Sequence, residues 1–249
     1  MTLPRQRVVS LDLTPLGLQA AAQQVLAWAQ AGESRTVCAA NVHMAMEAHD
    51  DPTFAQVVNG ADLVLPDGMP LVWGLRLLGV QGATRACGPD LTLEVCQRAA
   101  QEGLPVGFHG ARPEVLAALC ANLQRRFPGL TISYAQSPPF RPLTNAEAAH
   151  SLAALQASGA RILFVGLGCP RQEQWMAAHR GHIPAVMLGV GAAFDFHAGT
   201  LRQAPRWMQR SGLEWAFRLA QEPSRLWKRY AKHNPRYLGL LGLQALRGR

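Results

Sequence analysis

The chain has 249 residues, of which 49% are hydrophobic and 16% charged, with a formal net charge of +8. That is enough for one large α/β domain, with or without an appendage, and for a sizeable core. No run of 18 or more apolar residues occurs, which excludes an ordinary spanning helix. Met1-Thr-Leu-Pro-Arg-Gln-Arg also lacks the apolar stretch of a signal peptide, so a cytoplasmic location is expected. Cys38, Cys87, Cys96, Cys120 and Cys169 are scattered with no CxxC pair, a usage that fits reduced, buried thiols and neither zinc nor a disulfide framework. The charge is unevenly placed. Residues 202–249 hold eleven Lys/Arg against Glu214 and Glu222, whereas residues 1–201 hold thirteen Arg against fourteen acids. This is a neutral domain with a basic tail.

In chain order, Thr14-Pro15 predicts the start of a helix running to about Ala31. Strands are then predicted at Thr36–Asn41, Ala61–Pro66, Leu104–Gly110, Leu130–Ala135, Arg161–Gly168 and Ala185–Gly191. Helices are predicted near residues 43–58, 69–79, 89–102, 112–126, 145–157 and 171–180. Apolar strands alternating with helices predict an α/β fold, a Rossmann-like parallel sheet with helices on both faces. The expected division is a catalytic core over 1–198 and a basic helical C-terminal appendage over 199–249. Within the appendage Pro223 breaks the chain, and Ser224 to Asn234 reads as a separate helix closed by Pro235.

Sheets of this kind bind ligands beyond the carboxyl ends of their strands. The polar residues there are Asn41 and His43, Asp67, His109-Gly110, Arg171-Gln172-Glu173, and Asp195 with His197; Arg85 and Asp90 flank Ala-Cys-Gly-Pro. Asp67, in Leu-Val-Leu-Pro-Asp-Gly-Met, can serve as a general base toward a substrate hydroxyl; Asp-Gly equally serves to make a turn or cap a helix. Around Gly110, exposed amides ahead of Pro113 suit a diphosphate, although no GxGxxG or P-loop is present and a ligand-free turn fits as well. Gly166-Leu-Gly168-Cys-Pro170-Arg171-Gln172-Glu173 is denser: Arg171 suits a phosphate and Gln172 a sugar or base edge, against a plain capped helix with surface charges. Asp195 and His197 alone do not make a metal site. No Asp-x-Asp pair occurs, so chemistry without metal or cofactor is expected. The histidines at 43, 49, 109 and 197 read individually as structural.

In the tail, Arg225, Lys228, Arg229 and Lys232 recur at i, i+3, i+4 and i+7, with Leu226, Trp227 and Tyr230 opposite. A basic stripe with an aromatic edge describes a helix on an anionic membrane, with Lys228, Arg229 and Lys232 facing the lipid and Tyr237-Leu-Gly-Leu-Leu-Gly-Leu dipping into the interface. The alternative is a solvated helix docked by its aromatics. No nucleic-acid motif is present, and nucleic acid is not expected as a partner.

Taken together these segments resemble the WecG/TagA/CpsF glycosyltransferases over nearly the whole chain. The resemblance is carried by Asn41, Ala61–Gly68, Arg85–Asp90, Phe127-Pro-Gly129, Ser137–Pro142, Gly166–Glu173, Gly189–Asp195, Gln203–Trp207, Gly212–Trp215, Arg218 and Glu222–Arg225. It implies an inverting transfer from a UDP-sugar to a polyprenyl-diphosphate-linked saccharide, without metal, at the inner face of the cytoplasmic membrane. It further implies that Asp67 is the base, that Asn41, Arg85, Gln172 and Asp195 line the pocket, and that Arg218 and Arg225 reach the acceptor diphosphate. This chain departs at Ala39, where relatives carry Thr, at His109-Gly110 in place of Gly-Gly, and at Lys228 in place of Arg. A non-enzymatic, nucleotide-binding membrane adaptor is the competing expectation. Removing the chain from Gly199 onward is expected to leave a soluble nucleotide-binding core.

Overall fold

The computed structural model describes residues 3–247. The chain opens with β1 (Gln6–Val8) and β2 (Leu11–Leu13), then α1 (Leu18–Gln30), β3 (Arg35–Ala40), α2 (Val42–Asp50), α3 (Pro52–Asn59), β4 (Leu63–Pro66) and α4 (Met69–Leu77). Next come α5 (Gly88–Glu102), β5 (Val106–Gly110), α6 (Pro113–Arg126), β6 (Ile132–Gln136), α7 (Asn145–Ala157), β7 (Ile162–Gly166), α8 (Arg171–His179) and β8 (Val186–Gly189). The described chain finishes with α9 (Ala193–Ala198), α10 (Arg206–Arg210), α11 (Glu214–Gln221) and α12 (Pro223–Arg247).

The predicted α/β fold is present. Six strands form a parallel sheet in the order β4-β3-β8-β7-β5-β6, flanked by helices. Every residue of β4, β5 and β8 is buried, which is why, His109 apart, their sequences are apolar runs rather than alternations. β1 and β2 make a separate antiparallel hairpin that sequence reading did not anticipate; three-residue strands leave too little pattern.

Cα packing divides the chain into two compact units. The first comprises Met1–Gly17, Ala39–Cys87 and Gln203–Arg249; the second comprises Leu18–Cys38 and Gly88–Arg202. The sequence reading placed a boundary at 198/199, whereas packing joins residues from 203 onward to those around β4 and α4. In the second unit α1 packs on α5 and α6 on α9, and Phe108 stacks on Phe164 with ring centroids 5.1 Å apart.

In the first unit β2 packs on β4 and α12 on α2. Tyr237 is fully buried, and its hydroxyl donates to Pro70 O at 3.0 Å. A Cβ at Gly74 would meet Val8 at 2.7 Å and the Tyr237 hydroxyl at 3.1 Å, so glycine lets α4 approach both the hairpin and α12. The side chain of Gln244 accepts from Val9 N at 2.7 Å and donates to Arg7 O at 2.9 Å.

Three boundaries differ from expectation. Thr14 does not start a helix: its amide donates to Val64 O at 2.8 Å and its hydroxyl accepts from Val64 N at 3.3 Å, so it belongs to strand pairing. The single helix expected near 43–58 is two, because Pro52 cannot continue α2 and the Asp51 side chain accepts from Thr53 N to start α3. Pro235 lies inside α12 rather than ending it. Burial of Leu226, His233, Tyr237 and Leu241 along one side of α12 offsets the lost backbone bond.

Candidate active site

The turn after β4 is fixed from the backbone. Asp67 N and Gly68 N donate to Ala40 O at 2.8 and 3.3 Å, which holds the end of β4 against the end of β3. Gly68 is the N-cap of α4 and supplies no side-chain cap. Asp67 therefore does not cap that helix. Its carboxylate turns to Arg85, with Oδ1 3.3 Å from Nη2, and the Arg85 Nε donates to the Asp67 carbonyl.

The same Arg85 Nη2 donates to Glu214 Oε2 at 2.6 Å, and Nη1 donates to Gln209 Oε1 at 3.3 Å. Gln209 is itself anchored by a 2.7 Å bond from its Nε2 to Ala204 O. One guanidinium thus stands between two carboxylates, one from the β4 turn and one from α11. The Asp67 side chain retains only 21% exposure. Burial raises its pKa to about 6, Arg85 opposes that shift, and Glu214 adds to it. A carboxylate so placed is a stronger base than a surface aspartate and is still ionised at neutral pH.

These groups open onto a cavity of about 280 Å³. Asn41, Asp67, Arg85, Arg218 and Arg229 all line it, together with Trp73, Glu214, Trp215, Tyr230, His233 and Tyr237. Asn41 caps α2 by accepting from Met44 N at 3.2 Å. Trp73 lies over Gly212, whose φ of 71° and missing Cβ leave room for the indole. Trp215 meets Tyr230 edge-on with ring centroids 5.8 Å apart, so α11 and α12 form one aromatic wall.

The remaining predicted residues are placed as follows. Gly110 ends β5 at φ 130°, where a Cβ would come within 2.5 Å of Gly166 O. Arg171 lines a second cavity, of about 210 Å³, with His109, Phe140 and Trp175. Gln172 is only 4% exposed; it donates to Glu173 at 2.7 Å and accepts from Gly168 N at 3.3 Å. Asp195 accepts from Thr200 N at 3.0 Å through its carbonyl, closing α9, while His197 Nε2 lies 2.9 Å from Pro89 O.

The four tail cations do not share one surroundings. Arg229 lines the cavity and stacks 5.2 Å over Tyr230. Arg225 pairs with Glu222 at 2.7 Å, and Lys232 with Asp50 at 3.4 Å. Lys228 lies 5.7 Å over the exposed Trp227. Leu226, Tyr237 and Leu241 point inward, leaving Leu238, Leu243 and Leu246 exposed, so the stretch from Tyr237 is split between core and surface.

Sequence reading passed over Glu214, Gln209 and Tyr230 as site residues, because they come from a tail that charge pattern alone marked as surface. The signal for Glu214 was its place in the Gly212–Trp215 stretch.

Residues 6–249 match the family described as glycosyl transferase WecG/TagA/CpsF. The chain belongs to that family. A WecG/TagA/CpsF relative from Bacillus spizizenii, named N-acetylglucosaminyldiphosphoundecaprenol N-acetyl-beta-D-mannosaminyltransferase, is 34% identical over 194 residues, or 78% of this chain and 73% of the relative. The protein is a glycosyltransferase, and the non-enzymatic adaptor reading gives way to that finding.

Proposed function

We propose that the protein transfers a sugar of the N-acetylhexosamine class from a UDP-sugar to a polyprenyl-diphosphate-linked saccharide, with inversion and without a metal ion, in cell-surface polysaccharide synthesis. The named relative supports the donor sugar and acceptor classes. The observation that carries the mechanism is the Asp67 carboxylate, buried, raised to about 6 and facing the cavity.

In a single displacement the acceptor hydroxyl oxygen attacks the anomeric carbon as its proton passes to Asp67. The bond from that carbon to the diphosphate oxygen breaks with its electron pair, and UDP leaves from the opposite face. Arg85 holds Asp67 in position and Glu214 holds Arg85. Arg218 brings positive charge to the cavity wall for a diphosphate. By the resemblance, Gln172 and Asp195 contact substrate and Arg225 reaches the acceptor diphosphate, while Gly110 and Arg171 are of residue types suited to a phosphate group. Exposed Trp227, Leu238, Leu243 and Leu246 with Lys228 and Lys232 support docking on an anionic membrane surface, at the cytoplasmic face where a UDP-sugar is supplied. No helix among the described residues is long and apolar enough to cross a membrane.

The test is Asp67→Asn, assayed with a panel of UDP-sugars and a lipid-diphosphate acceptor. Turnover is expected to fall roughly 10²–10⁴-fold with UDP binding retained. Near-normal turnover would remove Asp67 as the base.

A further inference from the structure

Apart from the groups around Asp67, three metal-capable side chains meet where α12 lies on α2. His43 and Glu47 are one turn apart on α2, and His233 comes from α12. His43 Nδ1 is 3.6 Å and His233 Nε2 3.5 Å from the same oxygen, Glu47 Oε1. Both separations exceed a hydrogen bond, and His43 Nδ1 is buried without a hydrogen-bond partner. The ligand atoms of all three lie within 4.8 Å of one another. Two atoms bound at about 2.0–2.1 Å to a tetrahedral ion stand roughly 3.3–3.5 Å apart, close to the two spacings here. We propose that His43, Glu47 and His233 form a binding site for a zinc-class divalent cation that ties α12 to α2.

Two imidazoles and a carboxylate are a nitrogen-rich set that suits zinc and its neighbours and disfavours magnesium and calcium, which take oxygen. Burial first, then Arg229, lowers the pKa of His43 to about 4, and burial also lowers that of His233. A neutral imidazole carries one ring lone pair, on the nitrogen that its tautomer leaves unprotonated, and the buried His43 Nδ1, which has no hydrogen-bond partner, can be that nitrogen. The opposing term is positive charge from Arg229, Lys232 and Arg236. Asp50 takes up two of these, meeting Lys232 at 3.4 Å and Arg236 at 2.9 Å, which leaves Arg229 as the cation that opposes the ion. Tyr237, Leu241 and the Arg236–Asp50 pair already dock α12, so the ion reinforces a contact that exists without it. His43 and His233 line the same cavity as Asp67, but the site uses neither Asp67 nor Arg85 and does not rest on the transfer reading.

The experiment titrates Co²⁺, a spectroscopic substitute for zinc, into the full chain after chelator treatment. An intense visible band of four-coordinate cobalt is expected, saturating at one ion per chain, displaced by Zn²⁺ and indifferent to Mg²⁺. Zn²⁺ should also raise the Tm. Glu47→Gln and His233→Asn, checked for folding by circular dichroism, should each lose the band and weaken Zn²⁺ binding on the order of 100-fold. His49→Asn, an exposed histidine on the same helix, should change nothing. No saturable band in the wild type overturns the proposal without any variant. Equal affinity in wild type, Glu47→Gln and His233→Asn, or an equal loss in His49→Asn, overturns it as surface binding. None of these readouts involves sugar transfer, so failure here is separable from failure of Asp67.

Discussion

Asp67 is asked to be buried and ionised at once, and the cost of that can be measured. Its ordinary pKa of 3.8 is raised to about 6, burial outweighing the attraction of Arg85. Because the folded state holds this proton more tightly than the unfolded chain, stability contributed by the neutral acid is present below pH 3.8. It is lost as pH rises through 6, a difference of roughly 3 kcal/mol. Asp67→Asn mimics the neutral acid, so it should raise the unfolding free energy at pH 8 by an amount of that order and by almost nothing near pH 3.5. Denaturant melts at the two pH values check this; equal effects at both would mean the carboxylate carries no burial strain. In the wild type, kcat/KM should climb as pH rises through about 6 and then level, since the base must be free of its proton. The absence of any Asp-x-Asp pair from the sequence gives a companion expectation. Turnover in excess EDTA should stay within about twofold, and a collapse reversed by Mg²⁺ or Mn²⁺ would refute metal-independent transfer. Asp67 and Asn41 were legible as candidates because strand ends advertise themselves, and Arg85 because it flanks the Ala-Cys-Gly-Pro stretch ahead of α5. Glu214 was not, since it reaches Arg85 across 129 positions of sequence, and no local pattern encodes such a distance.

At the scale of elements, the tail helix shows what periodicity can and cannot reveal. Spacing located the cations of α12 on one helical face, but a helix has as many candidate faces as it has apolar partners. The buried stripe of Leu226, His233, Tyr237 and Leu241 rotates Arg229 toward the cavity and leaves Trp227, Leu238 and Leu246 outside. Pro235 was misleading for a related reason: its cost of about 3 kcal/mol is local, whereas the packing of Tyr237 and Leu241 that offsets it is not. Membrane docking should accordingly depend on the outward apolar residues as much as on charge. Replacing Trp227, Leu238 and Leu246 together by Ser should lower sedimentation with anionic vesicles on the order of 100-fold or more, each residue contributing at least about 1 kcal/mol of buried area. Lys228→Gln with Lys232→Gln should lower it less, and mainly at low salt, where the Debye length exceeds the ~8 Å of physiological buffer. Unchanged binding by the apolar variant would show that this face stays in water.

For the whole molecule, the sheet and its helices could be read from alternating apolar runs, but the partition into units could not. Composition changes at residue 202, and that change suggested an appendage; packing instead counts residues from Gln203 as part of the unit built around β4. A chain ending at Ala198 should therefore not be the soluble core that composition suggests. It would bare Gly74 and Pro70 where Tyr237 and Leu241 lie, and should melt earlier and bind a hydrophobic dye. A cooperative melt at the wild-type Tm would contradict this. The bonds from Gln244 to Arg7 and Val9 carry a consequence for birth rather than for catalysis. Synthesis proceeds at about 5–20 residues per second, so the hairpin of β1 and β2 waits ten seconds or more for the helix that closes over it. Until then the nascent chain has the Asp67 turn but no opposite wall. A chain stalled before α11 and α12 lacks Glu214, Arg218 and Tyr230 from the cavity wall and should transfer no sugar.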